Sequence, residues 1–425
     1  MTDDPDAGDD DWHYAPAKSL RGALQRGHGA AGAWAATHPV APDLVLECLH
    51  RDYRWDRQVD ERTVFLARLV LDLGLSVDPV VDQVRAGRKT GYDGNRFGQA
   101  VDVLATVALA HVPAAADALR QYVGEGERWL DVLHTVVGTW PRAWWDDLAP
   151  IVAGRAADAA REDVAALEEP WLSWAGRDRR IDVLLERAQP SFDWQCPSRL
   201  HHDTPVTALL GLLADPDAAP GTLSAVLHEF ARHRDPEPRL LDVTDPLAAR
   251  PDVQRIGLFP VLQKLGPRTT RHARQWARDP AHPLWWRAVV TLAEHGEAVD
   301  VPALLAALDH LDSDTDDWCG YDALARGFAR LGVAEVAPRF RSLWRHSPHS
   351  YERTSYLEVL LALDPDATRQ ELPEALSDCE SDVRLLAAQH APLTGEVRRQ
   401  LVRLRDSAIE HTAVRAAAAL RLASE

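Results

Sequence analysis

Several residue types are nearly missing from this chain of 425 residues, and each shortage excludes something. Cysteine occurs four times (Cys48, Cys196, Cys319, Cys379), far apart and never as CxxC. That excludes a disulfide scaffold and predicts a reducing compartment in which thiols serve as small buried hydrophobes. No long apolar run is present: the longest stretch free of charged residues is Gly27–Pro42, shorter than the ~20 residues that cross a bilayer. The N-terminal MTDDPDAGDDDW holds six aspartates and no base, so a secretory leader is not expected and a cytoplasmic location is. Isoleucine is used four times and lysine three times, against 44 arginines. A GC-rich genome produces that bias. Its physical consequence is an apolar set of Ala, Leu, Val and Trp, which disfavours strands. Positive charge is also short. Sixty-five acids against 47 bases leave a formal charge of −18, which argues against general binding to nucleic acid or anionic membrane.

What is present suits a globular chain. Apolar side chains make up 46% of the sequence, enough at this length to bury a core without metal or disulfide staples. Length alone predicts about three domains of ~150 residues, unless the chain is repetitive. Nearly every segment has helical periodicity. In residues 60–74, Val64, Leu66, Leu69, Val70 and Leu73 form an i, i+3, i+4 stripe, with Arg62, Arg68 and Asp72 off it. Asp60 is expected as the cap and Gly74 as the stop. Pro79 and Pro113 recur with similar apolar positions around them, each where a first helical turn tolerates a missing N–H.

The C-terminal half repeats more clearly. A shift of 36 superimposes Leu292 on Phe328, Gly296 on Gly332, Pro302 on Pro338 and Leu308 on Trp344. A further shift of 32 carries Phe328 to Leu360, Gly332 to Asp364, Phe340 to Leu372 and Trp344 to Leu376. The last copies begin at Val383-Arg384 and Val414-Arg415, a spacing of similar size. Such a period, filled by two helices and a turn, predicts an α-solenoid.

The string DCESDVRLLAAQ, with Asp378, Val383-Arg384 and Ala387, resembles the Asp-x4-Val-Arg-x-x-Ala signature of HEAT repeats, including the short bacterial kind. Val414-Arg415-x-x-Ala418 matches half of it, and Trp286-Arg287-x-x-Val290 matches more loosely. The resemblance covers residues 280–425 and extends to 60–155 only in helix length and punctuation. It implies that the Asp sits in the turn between repeats, that Val and Ala pack inside, and that the Arg crosses toward the neighbouring turn. It implies a scaffold with a binding surface rather than an activity.

Eleven of the 28 prolines fall between Pro190 and Pro267, so that stretch is expected to be irregular. Helices are still legible at 203–214, 221–233 and 252–265. The expected fold is therefore all-α: a disordered acidic tail over 1–14, a helical-repeat half over 15–189, a Pro-rich partly helical connector over 190–267, and HEAT-like repeats over 268–425.

Three second helices carry basic stripes: Arg271, Arg274 and Arg278; Arg339, Arg341 and Arg345; Arg399 and Arg403. Stacked in register they would line a groove for phosphates or an acidic peptide; the alternative is solvated faces paired with nearby acids. Joint loss of Arg274 and Arg341 is expected to weaken an acidic partner and leave folding intact. A glycine-rich stretch with Arg88, Lys89 and Arg96 is a second candidate, an inter-repeat loop suited to partner contact rather than a P-loop.

Seven of 15 tryptophans lie between Trp129 and Trp194. WPRAWWDDL, with Trp144, Trp145, Asp146 and Asp147, invites comparison with the aromatic cleft of HEAT-like DNA repair glycosylases, though packing at helix seams explains it as well. The Asp312, Asp314, Asp316 run lacks the Gly and Glu of a calcium loop. Cys196, His201, His202 and Asp203, or His228 with His233, fit no standard zinc spacing. No metal or cofactor is expected. The leading expectation is a non-catalytic scaffold that binds a protein segment on its concave face. The alternatives are a nucleic-acid binder or repair glycosylase, and a small-molecule enzyme using the Trp-rich region 129–194. Neither the partner nor the oligomeric state is legible.

Overall fold

The computed structural model describes residues 13–87, 94–155, 168–187, 204–250, 257–313 and 319–424. Among them every regular element is a helix and none is a strand. Ala, Leu and Arg favour that conformation, and the punctuation falls where expected. Pro79, Pro113 and Pro220 occupy first turns of Asp78–Ala86, Pro113–Glu125 and Pro220–Arg232. Gly74, at φ +60°, closes the Thr63–Asp72 helix: its N–H reaches Leu71 O while that of Leu75 reaches Val70 O. Among the described residues, no helix is long and apolar enough to cross a membrane.

Contacts divide the chain into two compact units. One comprises Met1–Ser191, Arg341–Leu357 and Asp364–Glu425; the other comprises Phe192–Phe340 and Glu358–Leu363. In the second unit, successive helices are tied by bonds spanning about one repeat. Arg234 donates to Thr204 O across 30 residues, Lys264 to Ala231 O across 33, and Arg330 to Ala293 O across 37. The indole of Trp276 donates to Asp245 across 31. The Pro-rich stretch belongs to this pattern. It holds helices at Val206–Ala214, Pro220–Arg232 and Leu258–Leu265, and residues 251–256 lie outside the described residues. Proline shortens these helices without interrupting the spacing, because several of the prolines sit in first turns.

The first unit has the same local ties. Tyr122 reaches Gly87 O across 35 residues, and the Trp140 indole reaches Ala105 O across 35. Positions superimposed by the sequence shifts are alike inside: Leu292, Phe328, Leu360, Leu308, Trp344, Leu376, Phe340 and Leu372 are all buried. The turn geometry repeats as well. Fully buried Arg353 pairs with Asp378, and fully buried Arg384, one repeat further on, pairs bidentately with Glu410. Arg384 also donates to Asp378 O and Cys379 O.

What the periodicity does not announce is a second class of bond in this unit, between its first helices and its last ones. Arg26 Nε donates to His346 O across 320 residues, and Arg353 donates to Arg26 O across 327. Cys379 N–H reaches Gly27 O, and Gly29 N–H reaches Asp378. The approach is so close that a Cβ on Gly29 would lie 2.0 Å from Glu374 O, and one on Gly27, at φ +63°, 2.6 Å from Cys379 Sγ. Asp60, expected as a helix cap, is instead buried here. It accepts from His349 Nδ1 at 2.6 Å and from Tyr351 N–H at 2.9 Å, while Arg62 stands at the N-cap position. Residues 1–12 of the expected tail lie outside the described residues; Tyr14, its last residue, is held by donating to Tyr53 O and by Arg26 over its ring.

Candidate functional site

The arginines of the three basic stripes divide between the two units. In the second unit Arg271 and Arg278 are exposed. Arg274 is bound by Asp300 at 2.7 Å and Glu297 at 3.2 Å, and Arg339 by Asp309 at 2.8 Å and by Asp312. In the first unit Arg341 holds Asp364 at 3.0 Å and Glu371 at 3.4 Å, and Arg345 shares Glu371. Arg399 pairs with Glu396 one turn back in its own helix. Arg403 leaves the stripe and pairs with Asp72, 331 residues away. Pairs this accessible on the arginine side are screened by water and salt and contribute modestly to stability. Their consequence is electrostatic: carboxylates offset Arg274, Arg339, Arg341, Arg345, Arg399 and Arg403.

Of the glycine-rich candidate, Arg88 and Lys89 lie outside the described residues. Arg96 sits half-buried on Gly94–Leu109, its carbonyl accepting from Gln83. The tryptophans are interior. Trp129, Trp171 and Trp174 are fully buried, Trp145 packs edge-on against Trp174 at 5.8 Å, and Trp171 against Trp174 at 6.1 Å. The neighbouring carboxylates are occupied, Asp146 by Arg177 and Asp147 by Arg120. Trp194 lies outside the described residues, as do Cys196, His201, His202, Asp203, Asp314 and Asp316. His228 and His233 meet as rings at 5.8 Å. Among the described residues, no group of three or more His, Cys, Asp and Glu is placed to hold a metal.

Two features of the first unit stand out instead. One is the buried polar junction between its first and last helices. Arg62 donates to Ser350 Oγ and, at 2.9 Å, to Cys379 Sγ; Arg353 reaches the same sulfur at 3.0 Å. Glu380 accepts from Glu61 N–H and from the Ser350 hydroxyl, while Glu61 receives the N–H and hydroxyl of Ser381. Burial dominates this chemistry. It pushes the Glu380 carboxyl up to about 7 and the Cys379 thiol above its usual range despite two guanidiniums beside it. Burial likewise pushes the Cys48 thiol up to about 12. Protonated and enclosed, these thiols are not nucleophiles. Burial also lowers His28 to about 4, so its ring is neutral against Trp344, 4.8 Å away. Asp60 is the exception: although burial opposes its ionisation, the His349 hydrogen bond and the Arg62 charge hold it below the ordinary range.

The other feature is a groove of about 650 Å³ beside the junction. Its apolar floor comes from Phe65 and Leu69 of Thr63–Asp72, Leu404 of Gly395–Asp406, and Ile409. Gly32, Ala33 and Ala36 at Ala30–Ala35 and its C-cap leave the space open because they lack bulk. Its rim carries the Arg403–Asp72 pair, with Glu396 and Asp406 beyond. At its base lies Arg68, with 16% of its side chain exposed, donating to Glu410 at 2.6 Å. The groove has the volume of a ligand site, and its composition is that of an apolar cleft with few placed charges.

Sequence reasoning singles out Arg403 and misses Arg68, which the local pattern places only off an apolar stripe. Nothing around Arg68 announces Glu410, 342 positions away. Comparison with protein families, with characterised proteins and with solved structures finds no match to the chain.

Proposed function

We propose that this chain is a non-catalytic interaction scaffold, built of HEAT-like helical hairpins, which holds a segment of a partner protein in the groove of its first unit. The single observation that carries the reading is the groove itself: about 650 Å³ floored by apolar side chains and ringed by charged ones. A cleft of that kind accepts one or two apolar side chains and orients them by polar contacts at the edge. The repeated pairing of Arg353 with Asp378 and Arg384 with Glu410 supports stacked hairpins as its frame. Enclosed thiols at Cys48 and Cys379, neither in a disulfide, suit a cytoplasmic setting. Most arginines of the stripes are paired with carboxylates, which does not favour the alternative nucleic-acid binder.

The test compares the wild-type chain with Ala36→Trp, which fills the groove from an exposed position. Both are immobilised and exposed to nuclease-treated host lysate. A protein retained by the wild type and reduced at least about ten-fold by Ala36→Trp, a loss of about 1.4 kcal/mol, supports the reading. Equal retention by both overturns it.

A further inference from the structure

Arg384 and Arg68 share one carboxylate. Glu410 accepts Arg384 Nε at 3.0 Å and Nη2 at 2.8 Å, then Arg68 Nη2 at 2.6 Å, and also the His411 N–H at 2.7 Å. Its acceptor sites are thereby used up. Arg384 lies entirely inside, with both edges engaged by Glu410 and by the carbonyls of Asp378 and Cys379. Arg68 is the member left over. It gives one N–H to Glu410, and its Nε and Nη1 have no acceptor among the described residues. These groups belong to a side chain that lines the groove.

Around the groove Glu410 serves both Arg68 and Arg384, Asp72 is taken by Arg403, Glu396 by Arg399 and Asp406 by Arg405. Burial, and then the neighbouring Arg384, lower the pKa of Arg68 against the pull of Glu410 and Asp72. A planar guanidinium with Nη1 idle can give a carboxylate one further charge-assisted hydrogen bond from that group. The floor beside it is aliphatic and aromatic: Phe65, Leu69, Leu404 and Ile409.

We infer that the groove selects an aliphatic group carrying a carboxylate, with the chain seated on Phe65 and Leu404 and the carboxylate bonded to Arg68. This rests on the reading of the groove as the partner site and names what it recognises. The occupant is the free end of a chain after an aliphatic residue such as leucine, because one residue then supplies both the aliphatic group and the carboxylate beside it.

The experiment is calorimetric titration of the full chain with octanoate and, separately, with octanamide, which has the same tail without the charge. Octanoate is expected to bind at least about ten-fold more tightly, the order of one charge-assisted hydrogen bond. Arg68→Gln is expected to abolish that difference, and Ala36→Trp to remove binding of both. Equal binding of the two probes to the wild type, or binding of neither, overturns the inference; this wild-type comparison does not depend on any variant folding. Two peptide pairs test the occupant. Acetyl-Ala-Leu with a free carboxyl end is expected to outbind its amide; a preference confined to acetyl-Leu-Asp-amide over acetyl-Leu-Asn-amide overturns the chain end as occupant. The groove reading fails separately. If Ala36→Trp blocks partner capture while octanoate and octanamide bind alike, the groove stands and its carboxylate preference falls.

Discussion

The second unit is wired at one length scale and the first at two. In residues 204–340, side-chain bonds between neighbouring helices join residues 23 to 38 positions apart, as in Arg274–Glu297 and Arg330–Leu292. In the first unit, ties such as Arg155–Val123 across 32 residues coexist with Asp60–His349 across 289 and Gly29–Asp378 across 349. The second kind is also deeper: Arg353, Asp60, Asp378 and Glu380 are buried, whereas Arg274 and Arg339 are only partly covered. The difference teaches that, among the described residues, side-chain ties in the second unit join helices near in sequence, while the first unit depends in addition on polar groups that must find partners from a remote part of the chain.

The sharpest way to break this contrast is to remove one buried cation. Arg353→Leu leaves Asp378 uncompensated inside the first unit and should cost about 3–5 kcal/mol in urea unfolding. If its cost matches that of Arg274→Ala in the second unit, the contrast is false.

A second prediction concerns pH. Glu380 is raised in the fold to about 7. Between the ordinary carboxyl value and about 7 the folded state therefore holds a proton that the unfolded state releases, so this group lowers stability as pH rises through that window. Glu380→Gln keeps the acceptor and removes the charge. The variant should gain on the wild type from about pH 4.5 to about 7, by up to about 3 kcal/mol. Melting temperatures recorded across that range check it; parallel curves for the two proteins would refute it. His28 tilts the other way. Lowered to about 4, it makes the fold lose stability as pH falls from about 6.5 toward 4.

Glycines sharpen the comparison by sign. Gly29→Ala drives a methyl against Glu374 O and should destabilise by about 1–3 kcal/mol. Gly211→Ala, inside Val206–Ala214 of the second unit with nothing within 4 Å, should stabilise by about 0.5–1 kcal/mol. Opposite signs in denaturant melts are the expected result. The smallest effect belongs to Arg274→Ala: the arginine is partly exposed and Asp300 keeps the Glu297 N–H, so the same melts should move by about 0.5 kcal/mol or less.

The same two length scales decide what could be read in advance. Helix identity, the buried positions Leu292, Phe328 and Leu360, and the proline and glycine punctuation follow from local periodicity and were legible. The burial of Val383 and Ala387 was legible through a motif; the burial of Arg384 was not. The role of Asp60 was not, because a helix cap and a buried ion-pair partner look alike in one dimension until His349 is known to face it. In the Pro-rich stretch the helices near 203–214, 221–233 and 252–265 were legible from their apolar periodicity, and several of its prolines sit in first turns. The arginine stripes were visible, but the acids that neutralise them come mostly from adjoining turns, and helix periodicity carries no information about those. The groove required both scales at once, since Leu69 and Leu404 line it from helices near opposite ends of the sequence.

The order in which a ribosome delivers these residues gives the junction a further meaning. Arg26, Asp60 and Arg62 leave the exit tunnel long before Asp378, Cys379 and Glu380; Cys379 follows Arg62 by 317 residues. At roughly 5–20 residues per second, that interval is on the order of 15 to 60 seconds. Throughout it, the glycines and charges at the start of the chain wait without the surface that will cover them, and the first unit can close only as synthesis nears its last helices.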